Sequence, residues 1–238
     1  MRKNIVITGG SGRFGENLKK IKSTHKLFFP SKNELNILKL KSIDKYLNKT
    51  KADIVIHLAG LSRPMEIHDR NIERSIDLNI IGTANITKAC SKNKIKLIYF
   101  STNYVYPGLR GNYSEKDAVL PVNNYAWSKL GGESSVQLYK NSLILRVCMT
   151  EKPFVHDKAF ANVKTSFMYH DEVAKILFKL LNKKGIINLG GKSQYIFNFA
   201  KKDKKDVKKI FLKKTEKLGM PFDSSININK LTKILKKN

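Results

Sequence analysis

At 238 residues the chain can hold one large α/β domain, or one domain with a small appendage, and is too short for two independent ones. Its hydrophobic share of 41%, spread along the whole length, excludes a disordered chain; no apolar run approaches the roughly 18 residues of a membrane span, and Met1 to Ile7 passes into a strand-like run instead of a signal segment, so a cytoplasmic protein is expected. The net charge of +27 comes from lysines scattered over the chain, which reads as a solvated basic surface that attracts anionic nucleotides, and not as a specific nucleic-acid or membrane site.

Lys3 to Ile7 is expected to form a short buried strand, followed by the Gly-rich run Thr8-Gly9-Gly10-Ser11-Gly12-Arg13-Phe14-Gly15 and a helix from Glu16 to Lys22. Between a strand and a helix, Gly9, Gly12 and Gly15 let the backbone turn tightly, approach a pyrophosphate and pack the helix on the sheet, while the helix start offers free N–H groups. A second strand, His25 to Phe29, ends at Pro30. In many dinucleotide folds an acid about twenty positions beyond the glycines binds the adenosine ribose. Here the strand tip carries Lys32 instead, and Lys32 with Arg13 suits a 2′-phosphate, so NADP(H) is preferred and NAD(H) admitted, with Glu34 read as loop.

Asp53 to Leu58 forms a third buried strand closing at Ala59-Gly60, and a long helix follows with Ile72, Ile76, Ile80, Thr83, Thr87 and Cys90 at helical spacing. Lys96 to Phe100 is the next strand, a helix starting at Val122 or Asn123 carries Tyr125 and Lys129, and Ser142 to Val147 is a fifth strand. Strands alternating with helices imply a Rossmann-type, doubly wound parallel sheet with ligands at the carboxyl ends of its strands. Residues 1–147 are expected to form the dinucleotide-binding domain, and 148–238 a reduced C-terminal substrate-binding cap packed on it. Within that cap the pattern predicts a helix from His170 to Leu181, a strand from Gly185 to Leu189, and a helix from about Asn227 to Lys236. Between them, Lys201 to Lys217 carries nine lysines against three acids, with Ile210 to Leu212 as an edge strand. That cluster lacks the interleaved aromatics that stack on bases.

Tyr125-Ala126-Trp127-Ser128-Lys129 supplies the candidate chemistry. Tyr125 and Lys129 lie one helical turn apart, where an ammonium can lower the tyrosine pKa toward that of a working acid–base. The hydroxyl of Thr102, at the end of the fourth strand, is placed to hold a substrate carbonyl. Cys90 and Cys148 read as reduced core residues, and His25, His57, His68, His156 and His170 as structural, with no metal site.

Together these residues resemble the extended short-chain dehydrogenase/reductases, and within them the dTDP-4-dehydrorhamnose reductase-like group of sugar-nucleotide enzymes. The resemblance runs over nearly the whole chain, through residues 8–15, Asn33 to Ile37, His57 to Gly60, the Asn79 region, Ser101 to Gly108, Gly111, Tyr113, Glu115, Asp117 and Pro121. It continues through Tyr125 to Lys129, Ile144 to Arg146, His170 to Ala174, Asn188 to Gly191 and the stretch from Met220 to Asn227.

The resemblance implies an NAD(P)-dependent oxidoreductase passing hydride to a nucleotide-linked keto-sugar, with Tyr125 donating the proton, Lys129 assisting it and gripping the nicotinamide ribose, and Thr102 polarising the ketone. It places Gly9, Gly12, Arg13, Phe14, Gly15, Lys32, Asn36, Ile37, Leu58, Ala59, Gly60, Asn79, Tyr125 and Lys129 around the cofactor, with Asn79 ordering a relay water. An epimerase or dehydratase of the same family, or a non-catalytic NAD(P)-binding protein, is the alternative. No Cys or His stands beside the YxxxK motif as an obvious second acid or base, which favours a reductase over an epimerase. Members often pair through helices, so a homodimer is admitted. Asn103, Asn36 and Ala126 depart from the group's usual Asp, Asp and Gly without removing a catalytic group. Only 25 positions separate Arg146 from Asp171, a stretch that in the group helps build the sugar-nucleotide pocket, so the pocket is expected to differ while the redox core stays.

Overall fold

Alternating apolar strands and one-sided helices assemble into a sheet of six parallel strands: β1 (Asn4–Thr8), β2 (Lys26–Phe28), β3 (Ile54–His57), β4 (Lys96–Thr102), β5 (Ser142–Val147) and β6 (Gly185–Leu189). The structure, a computed structural model, describes residues 1–213 and 220–237. Across the sheet the order is β6-β5-β4-β3-β1-β2. The chain steps outward from β1 to β2, then returns across β1 to place β3 on its other side. That reversal opens the crevice at the carboxyl ends of β1 and β3 where ligands bind in this class of sheet.

Each strand feeds two cores, because successive side chains point to opposite faces. On one face Ile5, Ile7, Ile56, Ile98 and Leu145 pack with Leu18 of α1 (Arg13–Lys19), Val173 and Leu177 of α5 (His170–Leu177), and Leu231 of α6 (Asn229–Lys236). On the other, Val6, Val55, Leu97, Tyr99 and Ile144 pack with Ile43 and Leu47 of α2 (Leu40–Thr50), Ile86 of α3 (Gly82–Lys92) and Val136 of α4 (Asn124–Gln137). The doubly wound arrangement read from the sequence is therefore correct.

Several local expectations change. No element was assigned to residues 40–50, yet α2 forms there, its Leu40, Ile43, Leu47 stripe having been obscured by Lys39, Lys41, Lys45 and Lys49. The long helix after β3 is not uniform: short helices at Ile67–Arg70 and Ile72–Ser75 lead into a π-helical segment, Ile76–Ile81, before α3. A π turn accommodates an extra residue, so the apolar stripe loses register across it. Ile72 and Ile76 are consequently exposed, at 57% and 41%, while Asn79, Thr83, Ile86 and Cys90 are buried. The edge strand forms at Lys208–Ile210, pairing with Lys158–Phe160, instead of at Ile210 to Leu212. Leu212 is drawn inward, its N–H and carbonyl both held by Asn162. Lys214 to Lys217 of the basic cluster lie outside the described residues.

Residues beyond Val147 do two things. They complete the main sheet through β6, and they build a separate apolar cluster from Phe154, Ala159, Val163, Tyr169, Ile196, Phe199 and Val207 above the carboxyl end of β5. The helix expected to reach Leu181 ends at Leu177 and continues as a 3₁₀ turn, Phe178–Leu180. Among the described residues no helix is long and apolar enough to cross a membrane.

Candidate active site

The Gly-rich loop leaves β1 at Thr8 with Gly9 at φ +73°, and a Cβ on Gly9 would fall 2.6 Å from the Ala59 nitrogen. Only glycine permits both that backbone angle and that approach. Gly15 is equally confined, since its Cβ would lie 2.5 Å from the Gly10 oxygen, which seats α1 against the loop. Gly12 differs: a Cβ there would meet only Gly9 O, at 3.1 Å. The loop is closed against the protein at Gly9 and Gly15 and open at Gly12, which is the shape a dinucleotide pyrophosphate requires.

Around this loop the sequence candidates divide. The Phe14 ring turns into the core against Phe100 and His170, so only its backbone faces the crevice. Arg13 reaches away from β2: its Nε lies 3.3 Å from Glu151 Oε1 and its Nη2 donates to Ser62 Oγ at 3.4 Å. Lys32 is exposed at the tip of β2, and the structure does not bring it to Arg13. Glu34 closes the turn, accepting from the Ser31 N–H at 2.8 Å and its hydroxyl at 2.9 Å, bonds that hold its carboxyl below the usual range. Asn36 caps its own turn through Leu38 N–H, and Ile37 is buried against Gly82.

The His57-Leu58-Ala59-Gly60 turn is held from beneath by a buried imidazole. His57 Nδ1 lies 2.7 Å from Thr8 Oγ1 and Nε2 3.1 Å from Thr83 Oγ1, and burial pushes its pKa down to about 3, so it is neutral at working pH. Asn79, inside the π-helical segment, accepts from Leu61 N–H at 2.7 Å and donates to Leu61 O at 2.9 Å and Ser128 Oγ at 2.8 Å. Both amide hydrogens of Asn79 are thus engaged by protein, tying the loop after β3 to α4.

Thr102, the last residue of β4, is buried and accepts from Tyr104 N–H as the cap of a 3₁₀ turn. Asn123 caps α4 by accepting from Ala126 N–H at 2.8 Å, which places Tyr125 in the first turn. The Tyr125 hydroxyl faces the Thr102 side chain. Burial raises the Tyr125 pKa, while Thr102 and the charges of Arg63 and Arg13 act to lower it. Lys129 lies one turn on, buried, with Nζ 4.3 Å from the centre of the Tyr99 ring. Burial pulls its pKa down to about 7 against the opposing pull of Glu133.

Beneath Lys129, Glu133 pairs with Arg146 at 2.6 Å and accepts from Ser101 Oγ at 2.7 Å; Arg146 in turn donates to Tyr106, which reaches Asn188. Every member is buried. The network joins β4, α4, β5 and β6 beneath the reacting groups, so their spacing is fixed by the core.

Sequence reasoning missed three neighbours. His68 does stand beside the tyrosine: its ring centre is 5.2 Å from that of Tyr125, its Nδ1 is 2.7 Å from Ser75 Oγ, and its Nε2 is buried with no hydrogen-bond partner. The expectation that no histidine stands beside the motif is therefore overturned, because the fold brings a residue 57 positions away against Tyr125. The segment after β3 folds back over the start of α4, where Asn124 donates to Asp69 at 2.7 Å. Arg63 and Glu151 meet above the same crevice, with Arg63 Nη1 at 3.1 and 3.3 Å from the two carboxylate oxygens. No local pattern signals any of the three; a basic residue just after the HLAG turn was the only available cue.

Residues 2–163 match the family model described as the RmlD substrate binding domain. A dTDP-D-glucose 4,6-dehydratase of Dictyostelium discoideum is 30% identical over 232 residues, covering 79% of this chain and 51% of that protein. Methionine adenosyltransferase 2 subunit beta of Pongo abelii is 24% identical over 149 residues, covering 56% of this chain and 42% of that one. The chain thus spans about half, or less, of the length of these curated relatives. Among solved structures, dTDP-4-dehydrorhamnose reductase from Bacillus anthracis in complex with NADP superimposes with a TM-score of 0.85 at 22% identity, covering 98% of this chain and 91% of that one. That likeness carries the fold.

Proposed function

Since the chain belongs to the RmlD substrate binding domain family, we propose that it is an NAD(P)-dependent oxidoreductase that reduces a keto-sugar carried on a nucleotide diphosphate. The observation that carries this reading is the placing of Tyr125, whose hydroxyl faces the Thr102 side chain at the carboxyl end of β4, one helical turn from the buried Lys129. The open face at Gly12 between two closed glycines supports a dinucleotide there. When bound, the nicotinamide supplies the hydride. Gly9, Gly12 and Gly15 shape the loop that brings the phosphates to the start of α1, where the Arg13 and Phe14 N–H groups hold them, the Gly12 N–H being taken by Gly9 O. Lys32, Asn36 and Ile37 face the adenosine side, and Leu58, Ala59 and Gly60 line the crevice between.

Tyr125 holds the proton that goes to the ketone oxygen, and Thr102 orients that oxygen with its hydroxyl. Lys129, when charged, stabilises the phenolate left behind and grips the nicotinamide ribose. Asn79 serves here as the tie between loop and helix, its amide hydrogens being taken. Residues 148–238, which carry the second apolar cluster, form the substrate side of the cleft. NADP(H) is favoured by the exposed cation of Lys32 beyond β2, Arg13 being turned to Glu151, and the short stretch from Arg146 to Asp171 argues for a sugar pocket of its own shape.

His68 against Tyr125, together with the dehydratase relative, favours a second reading as an epimerase or dehydratase of the same family. The methionine adenosyltransferase subunit relative favours a third, as a dinucleotide-binding subunit. The deciding experiment follows NAD(P)H oxidation by the purified chain against a panel of nucleotide-linked 4-keto-sugars, with Tyr125→Phe as control. Stoichiometric oxidation that disappears in the variant supports the reductase. Sugar conversion without net oxidation supports the epimerase or dehydratase, and cofactor binding without conversion supports the subunit.

A further inference from the structure

Arg13 from the Gly-rich loop and Arg63 from the loop after β3 converge on one carboxylate, Glu151, which follows β5. In sheet order β1 and β5 are separated by β3 and β4, so the three side chains meet over the strand that ends in Thr102. The charges do not balance: two guanidiniums share a single carboxylate. Among the described residues Arg63 spends only Nη1 on it, leaving the Nε and Nη2 donors without a protein acceptor. The pair also faces the chemistry, since Arg63 and then Arg13 are the cations felt by the Tyr125 hydroxyl. The arginines are accessible, at 37% and 49% side-chain exposure against 18% for Glu151, so an incoming anion reaches them first. Glu151 also borders a cavity of about 470 Å³ lined by Lys152, Pro153, Phe154, Val155 and Asp203, which gives its carboxylate room to withdraw.

We propose that Arg63, with Arg13 beside it, is the receptor for the diphosphate of the nucleotide-linked substrate, and that Glu151 holds the receptor in place until that anion displaces it. A guanidinium fork matches phosphate oxygens as well as it matches a carboxylate, and two forks suit a diphosphate better than one carboxylate does. The proposal rests on the reading of the site as a hydride-transfer site, because it places the anion beside Tyr125. Glu151 is a positioning residue and a competitor: it keeps the arginines extended and raises the selectivity of the receptor for a group carrying more than one charge.

The test is a calorimetric titration of NADPH-saturated protein with inorganic pyrophosphate, using wild type, Arg63→Gln and Glu151→Gln. The expected result is about tenfold weaker binding in Arg63→Gln and several-fold tighter binding in Glu151→Gln, with NADPH affinity unchanged in both to within about twofold. Both substitutions lie at accessible side chains, and matching thermal midpoints check that the fold survives. Equal pyrophosphate affinity in the three proteins, weakening in Glu151→Gln like that in Arg63→Gln, or no binding to wild type would each overturn the proposal. Pyrophosphate binding seen only without NADPH would give the receptor to the dinucleotide and overturn its assignment to the substrate. Since the titration needs no turnover, it succeeds or fails independently of the Tyr125→Phe assay.

Discussion

The hydroxyl of Tyr125, in the first turn of α4, faces the side chain of Thr102, the last residue of β4, which acts against the burial that raises its pKa. A helix and a strand thereby present two hydroxyls at one point, each held by its own cap, with the core network of Glu133 and Arg146 fixing the distance between their elements.

If Thr102 orients the substrate oxygen, Thr102→Ala lowers kcat on the order of 10²-fold, the usual cost of one preorganised donor. Thr102→Ser keeps the hydroxyl and most of the rate. Steady-state kinetics at saturating cofactor measures both, and an alanine variant as fast as wild type would remove Thr102 from the mechanism.

Lys129 should titrate near pH 7 in the ligand-free protein, well below the ordinary 10.5, because burial disfavours its charged form. Its pKa is depressed, so the cation is present below about 7 and lost above it. As kcat/KM reports the free enzyme, the profile should fall as pH rises through that value. NMR of the lysine side chain locates the transition directly; a midpoint near 10.5 would contradict the burial argument.

His57 gives the fold an acid-side sensitivity. Its folded pKa of about 3 lies below the ordinary 6.5, so between these values the unfolded chain binds a proton that the native protein refuses. Stability therefore declines as pH falls from about 6.5 toward 3. Urea unfolding across that range should show a shallower pH slope in His57→Gln than in wild type.

The buried Glu133–Arg146 pair predicts a large penalty for breaking one side only. Glu133→Ala leaves the Arg146 guanidinium buried without its anion, which costs about 3–5 kcal/mol. Replacing both residues with apolar side chains of similar volume should recover much of that loss, as chemical denaturation of the single and double variants would reveal.

What the sequence disclosed, and what it hid, follows from the range of each signal. The Gly9-Gly12-Gly15 spacing and the Tyr125–Lys129 turn are local patterns, legible because one loop or one helical turn contains them. The six strands stood out as short apolar runs, since both faces of the sheet are covered. His68, Arg63 and Glu151 reach the site only through the crossing order of the strands, which no window of sequence records. Helix α2 was masked by the lysines on its outer face, and the π-helical segment by the assumption of a constant helical period.

That segment has a consequence for how relatives diverge. A π turn holds one residue more than an α-helix of the same path, and each residue of an α-helix turns the chain by about 100°. Deleting a single codon within Ile76–Ile81 would restore the shorter period on the same path, leaving the helices on either side seated and changing which side chains the segment itself turns inward. His68 would stay against Tyr125, while Asn79 would release Leu61 and Ser128. One wall of the cleft is thus set by chain length and not by residue identity, so an insertion or deletion of one residue can reshape the pocket of a relative whose reacting groups are all unchanged.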